Sequence, residues 1–227
     1  YMLSGVRNVF GRQMAEYVLG YLLAHELGIL ERLGRQAGRS WWPEPTGSLE
    51  GKTLGVLGTG SIGREIALQL KHFGVKVVGL SRCGKPVDGF DHVYAPGQLH
   101  NFLSLPDYLV CALPDTEETA GLLGREAFSR LQPDASLVNV GRGSLLDEDA
   151  LVEALESGRL SGAVLDVFQQ EPLPPQSPLW HTANLLITAH VAAKSRPRDI
   201  AGIFLENFRR YKAGEDILHQ IDFNRGY

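Results

Sequence analysis

The sequence predicts an α/β fold in which a parallel sheet is wound on both faces by helices. Three observations lead there. From Thr53 onward, short apolar runs alternate with helical patterns, the signature of βαβ units. Most of the runs are rich in Val, Leu or Ile and show no polar face, as strands buried on both sides do. The first run ends in a glycine-rich turn that opens a helix. With 227 residues the chain is long enough for one large or two small domains with a sizeable core.

The elements follow in order. Residues 12–33 carry Met14, Val18, Leu19, Leu22, Leu23, Leu27 and Leu30 at helical spacing, which predicts one long helix. A polar, aromatic connector, GRSWWPEPTGSLEGK, comes next. Six runs then read as strands: TLGVLG, VKVVGL, DYLVCAL, ASLVNV, SGAVLDVF and NLLITA. Intervening segments such as SIGREIALQLKHF and DEDALVEALES read as helices. A last amphipathic helix is expected over 197–213, with Ile200, Ile203, Phe204 and Phe208 on one face. There is no internal repeat and no low-complexity segment.

Composition narrows the function. Apolar residues make up 44% and charged residues 21%, an ordinary soluble globular balance. A net charge of −4 without a dense basic cluster argues against a nucleic-acid or anionic-membrane partner. No apolar run reaches the roughly 18 residues of a membrane span. YVLGYLLA near the start lacks a signal peptide's basic leader and cleavage site. Cys83 and Cys111 read as free thiols in a reducing compartment, so a cytoplasmic location is expected. The seven histidines lack the short paired spacing of a zinc motif, and no metal is expected.

The turn after the first strand reads GTGSIG, residues 58–63. Gly58, Gly60 and Gly63 fit G-x-G-x-x-G in the strand–turn–helix context that gives the pattern its meaning, a Rossmann-type dinucleotide site. Gly58 permits the tight turn, Gly60 lets the backbone approach a pyrophosphate, and Gly63 allows close helix–strand packing. The helix start, with Ser61 and Ile62, offers N–H groups and a partial positive charge to an anion. At the end of the second strand, 18 residues beyond Gly63, NAD-binding folds usually place an acid. Here stand Ser81 and Arg82, with Lys85 nearby and no acid. A guanidinium pairs with a 2′-phosphate where a carboxylate would repel it, so NADP(H) is favoured and NAD(H) left open.

Three ionisable groups follow three later strands. Arg142 follows ASLVNV between two glycines, Glu171 follows GAVLDVF, and His190 follows NLLIT. Open α/β sheets bind ligands outside the carboxyl ends of their strands. The set suits hydride transfer to a 2-oxo acid. An arginine holds the carboxylate and polarises the ketone, and a histidine protonates the developing alkoxide. A carboxylate on the other imidazole nitrogen stabilises the charged ring. The glycines on either side of Arg142 are expected to let the backbone run close to the nicotinamide.

These segments resemble the D-isomer-specific 2-hydroxyacid dehydrogenases over nearly the whole chain. TLGVLGTGSIGREIA is similar to the family's cofactor loop, CALPDTEETAGLL to its fourth-strand segment, and LVNVGRGSLLDEDALVEALESGRLSGAVLDVFQQEPLPPQSPLW to its signature region. The resemblance implies Arg142 as substrate anchor, Glu171 as histidine partner and His190 as acid/base. It implies that Asp166 contacts the nicotinamide carboxamide and that Leu113, Pro114, Val140 and Gly141 line the cofactor. QQEPLPPQSPLW, the Ser-Arg pair and the terminal NRGY are similar to the branch that reduces glyoxylate and hydroxypyruvate with NADPH. In two places the chain departs from the family. Ala189 stands where the family usually has proline before the histidine, which relaxes the backbone there. Most of the N-terminal substrate lobe is expected to be absent.

The resemblance divides the chain into a helix and dimerisation arm (1–47), a dinucleotide-binding domain (48–193) and a C-terminal helix and tail returning toward the substrate lobe (194–227). It implies a homodimer, with Trp41 and Trp42 either packed at an ordinary interface or against their own domain, or one of them reaching the partner's active site, and Trp180 is expected near the substrate mouth or in packing. Two other functions compete. One is an NAD(H)-sensing interaction protein on the same fold; the other is an NAD-dependent 2-hydroxyacid dehydrogenase of different specificity, such as a phosphoglycerate or formate dehydrogenase. Turnover of a small ketoacid separates the first from an enzyme.

Overall fold

The computed structural model describes residues 2–223, so the terminal NRGY lies outside the described residues. The chain opens with α1 (Gly11–Glu26) and α2 (Ile29–Ala37). It continues through β1 (Thr53–Leu57), α3 (Ser61–Leu70), β2 (Lys76–Leu80), β3 (His92–Tyr94), α4 (Leu99–Leu103) and β4 (Tyr108–Cys111). Next come α5 (Arg125–Arg130), β5 (Ala135–Asn139), α6 (Glu148–Glu156), β6 (Leu160–Leu165), β7 (Leu185–Ile187) and α7 (Pro197–Ala213). The strands form one parallel sheet in the order β3-β2-β1-β4-β5-β6-β7. The strand order reverses direction between β1 and β4, the place beyond whose carboxyl ends open α/β sheets bind their ligands.

The apolar runs form strands because their residues alternate between two cores. Leu54, Val56, Val110 and Val138 face one side, where Ala15, Val18 and Leu22 of α1 and Ile66, Ala67 and Leu70 of α3 cover them. Leu57, Leu109, Cys111 and Leu137 face the other side, under Phe102, Phe128, Leu151 and Leu155 of α4, α5 and α6. Both faces of the central strands are therefore dry. Cys111 is buried in this core and Cys83 is exposed, both as free thiols. Among the described residues, no helix is long and apolar enough to cross a membrane.

Two expectations need correction. The long N-terminal helix is two helices, because Gly28 adopts a left-handed conformation (φ +59°) and ends the first after Leu27. A seventh strand, β3, extends the sheet beyond β2; only Val93 of its three residues is buried, so it carries almost no apolar signal. The amphipathic α7 forms as expected, yet none of its residues is buried. Phe204 and Phe208 stack at 6.4 Å between ring centroids on an exposed face.

Candidate active site

The glycine loop leaves β1 at the reversal point. Gly58 takes φ +101°, and a Cβ there would stand 2.8 Å from the Ala112 carbonyl oxygen. Gly63 lies in the first turn of α3 so close beneath the loop that a Cβ would stand 1.9 Å from the Gly58 oxygen. Gly60 differs: a Cβ there would meet nothing within 4 Å, so its backbone borders open space. No side chain caps α3, and its first turn carries no acid. This cradle suits a pyrophosphate, which a bare helix start and a side-chain-free approach favour. The residues fit a dinucleotide.

Beyond β2, Ser81 turns the chain by accepting from the Gly84 N–H at 3.2 Å. Arg82 is exposed and pairs with Glu118 at 2.9 Å. Glu118 stands on the loop after β4, which begins at Leu113 and Pro114 and is held by Thr119. The Thr119 hydroxyl donates to the Pro114 carbonyl at 2.7 Å and accepts from the Thr116 N–H at 3.0 Å. The ion pair therefore joins the loops on either side of β1.

Beyond β5, the chain turns through Val140, Gly141 and Arg142. Asn139, wholly buried at the strand's end, brackets the turn. Its oxygen accepts from the Gly141 N–H and its amide donates to the Arg142 carbonyl, each at 3.0 Å. The flanking glycines answer to the protein's own backbone. A Cβ on Gly141 would stand 2.9 Å from the Leu113 carbonyl oxygen, and one on Gly143 would stand 1.9 Å from the Phe168 carbonyl carbon. Both glycines are therefore walled in by main chain on the side that a Cβ would occupy. Arg142 is left exposed on the rim.

Glu171 and His190 meet after β6 and β7. The histidine Nδ1 lies 2.8 Å from Glu171 Oε2, while Oε1 accepts from the Phe168 N–H at 3.0 Å. An ionised carboxylate only accepts, so Nδ1 carries the proton and Nε2 points away as the working nitrogen. Partial burial pushes the Glu171 carboxyl up, but hydrogen bonds from His190 and Phe168 and the nearby Arg142 charge outweigh this and hold it below its ordinary value. Arg142, Glu171 and His190 thus share one edge of the sheet, the edge of the glycine loop.

Asp166, at the end of β6, is 1% exposed. Its observed partners are the Thr188 hydroxyl at 2.5 Å and the N–H groups of Val191 and Ala192 at 2.8 and 2.9 Å. Of the tryptophans, Trp42 lies beneath the guanidiniums of Arg32 and Arg35, whereas Trp41 is 92% exposed. The Trp180 indole donates to the Pro174 carbonyl at 2.9 Å and leaves its ring half exposed. Sequence reasoning missed Asn139, Glu118, Thr188 and Tyr17, whose phenol lies 2.7 Å from the Thr188 hydroxyl. Only Asn139 had a signal, a lone amide ending a strand otherwise apolar from Leu137 on.

A parallel sheet with its crevice over a glycine turn, and its ionisable groups gathered on that same edge, defines a dinucleotide-dependent dehydrogenase domain. Comparison with known proteins makes this specific. The family model described as D-isomer specific 2-hydroxyacid dehydrogenase, NAD binding domain, matches residues 19–192. The chain belongs to this family of oxidoreductases. It is 37% identical over 216 residues to glyoxylate/hydroxypyruvate reductase A of Serratia proteamaculans, covering 95% of this chain and 69% of that protein. A D-isomer-specific 2-hydroxyacid dehydrogenase family protein from Aeromonas salmonicida superposes with a TM-score of 0.93 at 46% identity, covering 98% of this chain and 72% of that one. The NADPH-dependent glyoxylate/hydroxypyruvate reductase of Sinorhizobium meliloti, solved with NADP and sulfate, superposes at 0.94 with 31% identity, covering 100% and 73%.

Proposed function

We propose that the protein reduces a small 2-oxo acid, glyoxylate or hydroxypyruvate, to the 2-hydroxy acid with NADPH. The observation that carries this reading is the Glu171–His190 pair at 2.8 Å on the same sheet edge as Arg142. A guanidinium recognises a carboxylate and polarises the adjacent carbonyl. His190, held through Nδ1 by Glu171, delivers a proton from Nε2 to the oxygen that becomes the hydroxyl. A reduced nicotinamide, when bound, supplies the hydride that the carbonyl carbon accepts. Gly58, Gly60, Ser61, Ile62 and Gly63 would hold the pyrophosphate, and Ser81 and Arg82 the 2′-phosphate. Leu113, Pro114, Val140, Gly141 and Asp166 would line the nicotinamide half. NADPH preference is supported by the absence of an acid after β2 and by relatives solved with NADP or NADPH.

The same reading assigns residues 48–193 to dinucleotide binding, 1–47 to a helix and dimerisation arm and 194–227 to a helix and tail that meet the substrate lobe. It makes the protein a cytoplasmic homodimer. The test is to follow NADPH oxidation with glyoxylate and with hydroxypyruvate, and NADH in parallel. Turnover with either acid and a preference for NADPH support the reading. Tight cofactor binding without turnover of any 2-oxo acid when the substrate lobe is present overturns it in favour of a nucleotide sensor.

A further inference from the structure

His190 occupies a backbone region that side chains rarely adopt, with φ +56°. A residue held there has to be fixed by its surroundings, and Ala189 before it imposes no restraint of its own. The holding bonds can be read off. The His190 N–H donates to the Asp166 carbonyl at 2.7 Å. The Asp166 carboxylate takes the two following N–H groups and the Thr188 hydroxyl. Thr188 has one proton, which it gives to Asp166, so at its 2.7 Å contact with Tyr17 the phenol must be the donor. The relay therefore has one direction: Tyr17 to Thr188 to Asp166.

Tyr17 belongs to α1, remote in sequence from the histidine loop. One helical turn earlier, Gln13 grips the far side of the same loop. Its amide donates to the Lys194 carbonyl at 3.1 Å and its oxygen accepts from the Lys194 N–H at 3.0 Å. Two residues on one face of α1 thus bracket the segment carrying His190. The same helix packs on α3, where a Cβ on Gly11 would stand 2.9 Å from Glu65 Cβ. So α1 touches both the helix beneath the cofactor loop and the loop of the acid.

We infer that Tyr17 is a positioning residue for the reaction, acting through Thr188 and Asp166 to hold the His190 loop against Glu171. The inference rests on the reading of His190 as the acid. Its test is a double-mutant cycle on kcat, with NADPH and glyoxylate. Tyr17→Phe, which keeps the ring and removes only the donor, is expected to lower kcat about tenfold with KM nearly unchanged, as misplacement of a catalytic group does. Thr188→Val, which strands both partners of the hydroxyl, is expected to lower it further, and Thr188→Ser to recover most of that loss. In a His190→Asn background, measured on residual turnover, Tyr17→Phe is expected to have almost no effect. Equal losses in both backgrounds, or a loss confined to KM, overturn the positioning role and leave Tyr17 as packing. Full turnover by His190→Asn alone overturns the underlying assignment and the inference with it. Should Tyr17→Phe fail to fold, the serine and valine variants of Thr188 carry the same cycle.

Discussion

His190 and Glu171 leave the sheet after different strands and meet through a single bond of 2.8 Å, with the carboxylate's other oxygen taken by the Phe168 N–H. The pair is half open to solvent, with side-chain exposures of 52% and 36%, so its value is orientation rather than stability. Glu171→Gln keeps the shape but can offer an amide donor to Nδ1, which favours the wrong tautomer. Its kcat/KM is expected to fall about a hundredfold, within the range for general acid–base catalysis, with cofactor affinity unchanged.

The same pair sets a pH dependence. The folded Glu171 carboxyl sits below its ordinary 4.5. A depressed carboxyl contributes stability that is fully present above the unfolded value and is lost as pH falls through the folded one. Thermal midpoints of the native chain and Glu171→Gln, measured from pH 7 downward, are therefore expected to run parallel to about pH 5. Below that they should converge as the native pairing is titrated away. Curves that stay parallel to lower pH would show that the pair contributes no linked stability.

Arg142 offers a sharper separation of binding from chemistry. Its main chain is pinned by Asn139 and the glycines beside it are walled in, so only its side chain is free to be altered. Arg142→Ala is expected to reduce kcat/KM by about a hundred- to a thousandfold, the scale for one lost electrostatic stabiliser, while leaving the dissociation constant for NADPH within twofold (about 0.4 kcal/mol). Arg142→Lys is expected to restore little, since a point charge does not replace a planar fork. Steady-state kinetics and a fluorescence titration together decide it.

The Arg82–Glu118 pair predicts how cofactor choice can be tuned. Both side chains are exposed, so the bond itself is weak, at about 0–1 kcal/mol, but a 2′-phosphate has to share or displace it. Glu118→Gln is expected to tighten NADPH several-fold and leave NADH unchanged. Arg82→Ala is expected to weaken NADPH at least tenfold, about 1.4 kcal/mol, again sparing NADH. Equal effects on the two cofactors would remove the 2′-phosphate from the account.

How much was legible beforehand follows from where information sits in the chain. Strands such as Thr53–Leu57 and Tyr108–Cys111 announce themselves because burial on both faces demands mostly apolar residues. His92–Tyr94 is an edge strand of three residues and demands nothing of the kind. Arg142, Glu171 and His190 could be placed because strand ends of a parallel sheet share an edge. Tyr17 and Thr188 could not, since a hydroxyl at one turn of an amphipathic helix and another at a strand end look ordinary until packing joins them. At Gly28 the apolar spacing runs straight through the break and outweighs the one sequence signal of it, the glycine that takes the left-handed conformation at the end of α1.

Two glycines of the cofactor loop serve different ends. At Gly63 a Cβ would stand 1.9 Å from the Gly58 carbonyl oxygen and 3.1 Å from a Val56 methyl, so Gly63→Ala has to push α3 away from the loop. Overpacking of that kind costs about 1–3 kcal/mol, and the same displacement spoils the cradle. At Gly60 the backbone is extended (φ −70°) and a Cβ would meet nothing, so alanine fits the protein without strain. Gly60→Ala is therefore expected to leave stability within about 0.5 kcal/mol of the native chain. Its methyl would nonetheless stand in the crevice where a pyrophosphate must approach, and affinity for NADPH and NADH should fall together. Denaturant unfolding and cofactor titration of the two variants separate the cases. A Gly60→Ala protein that binds either cofactor normally would mean that the pyrophosphate lies elsewhere.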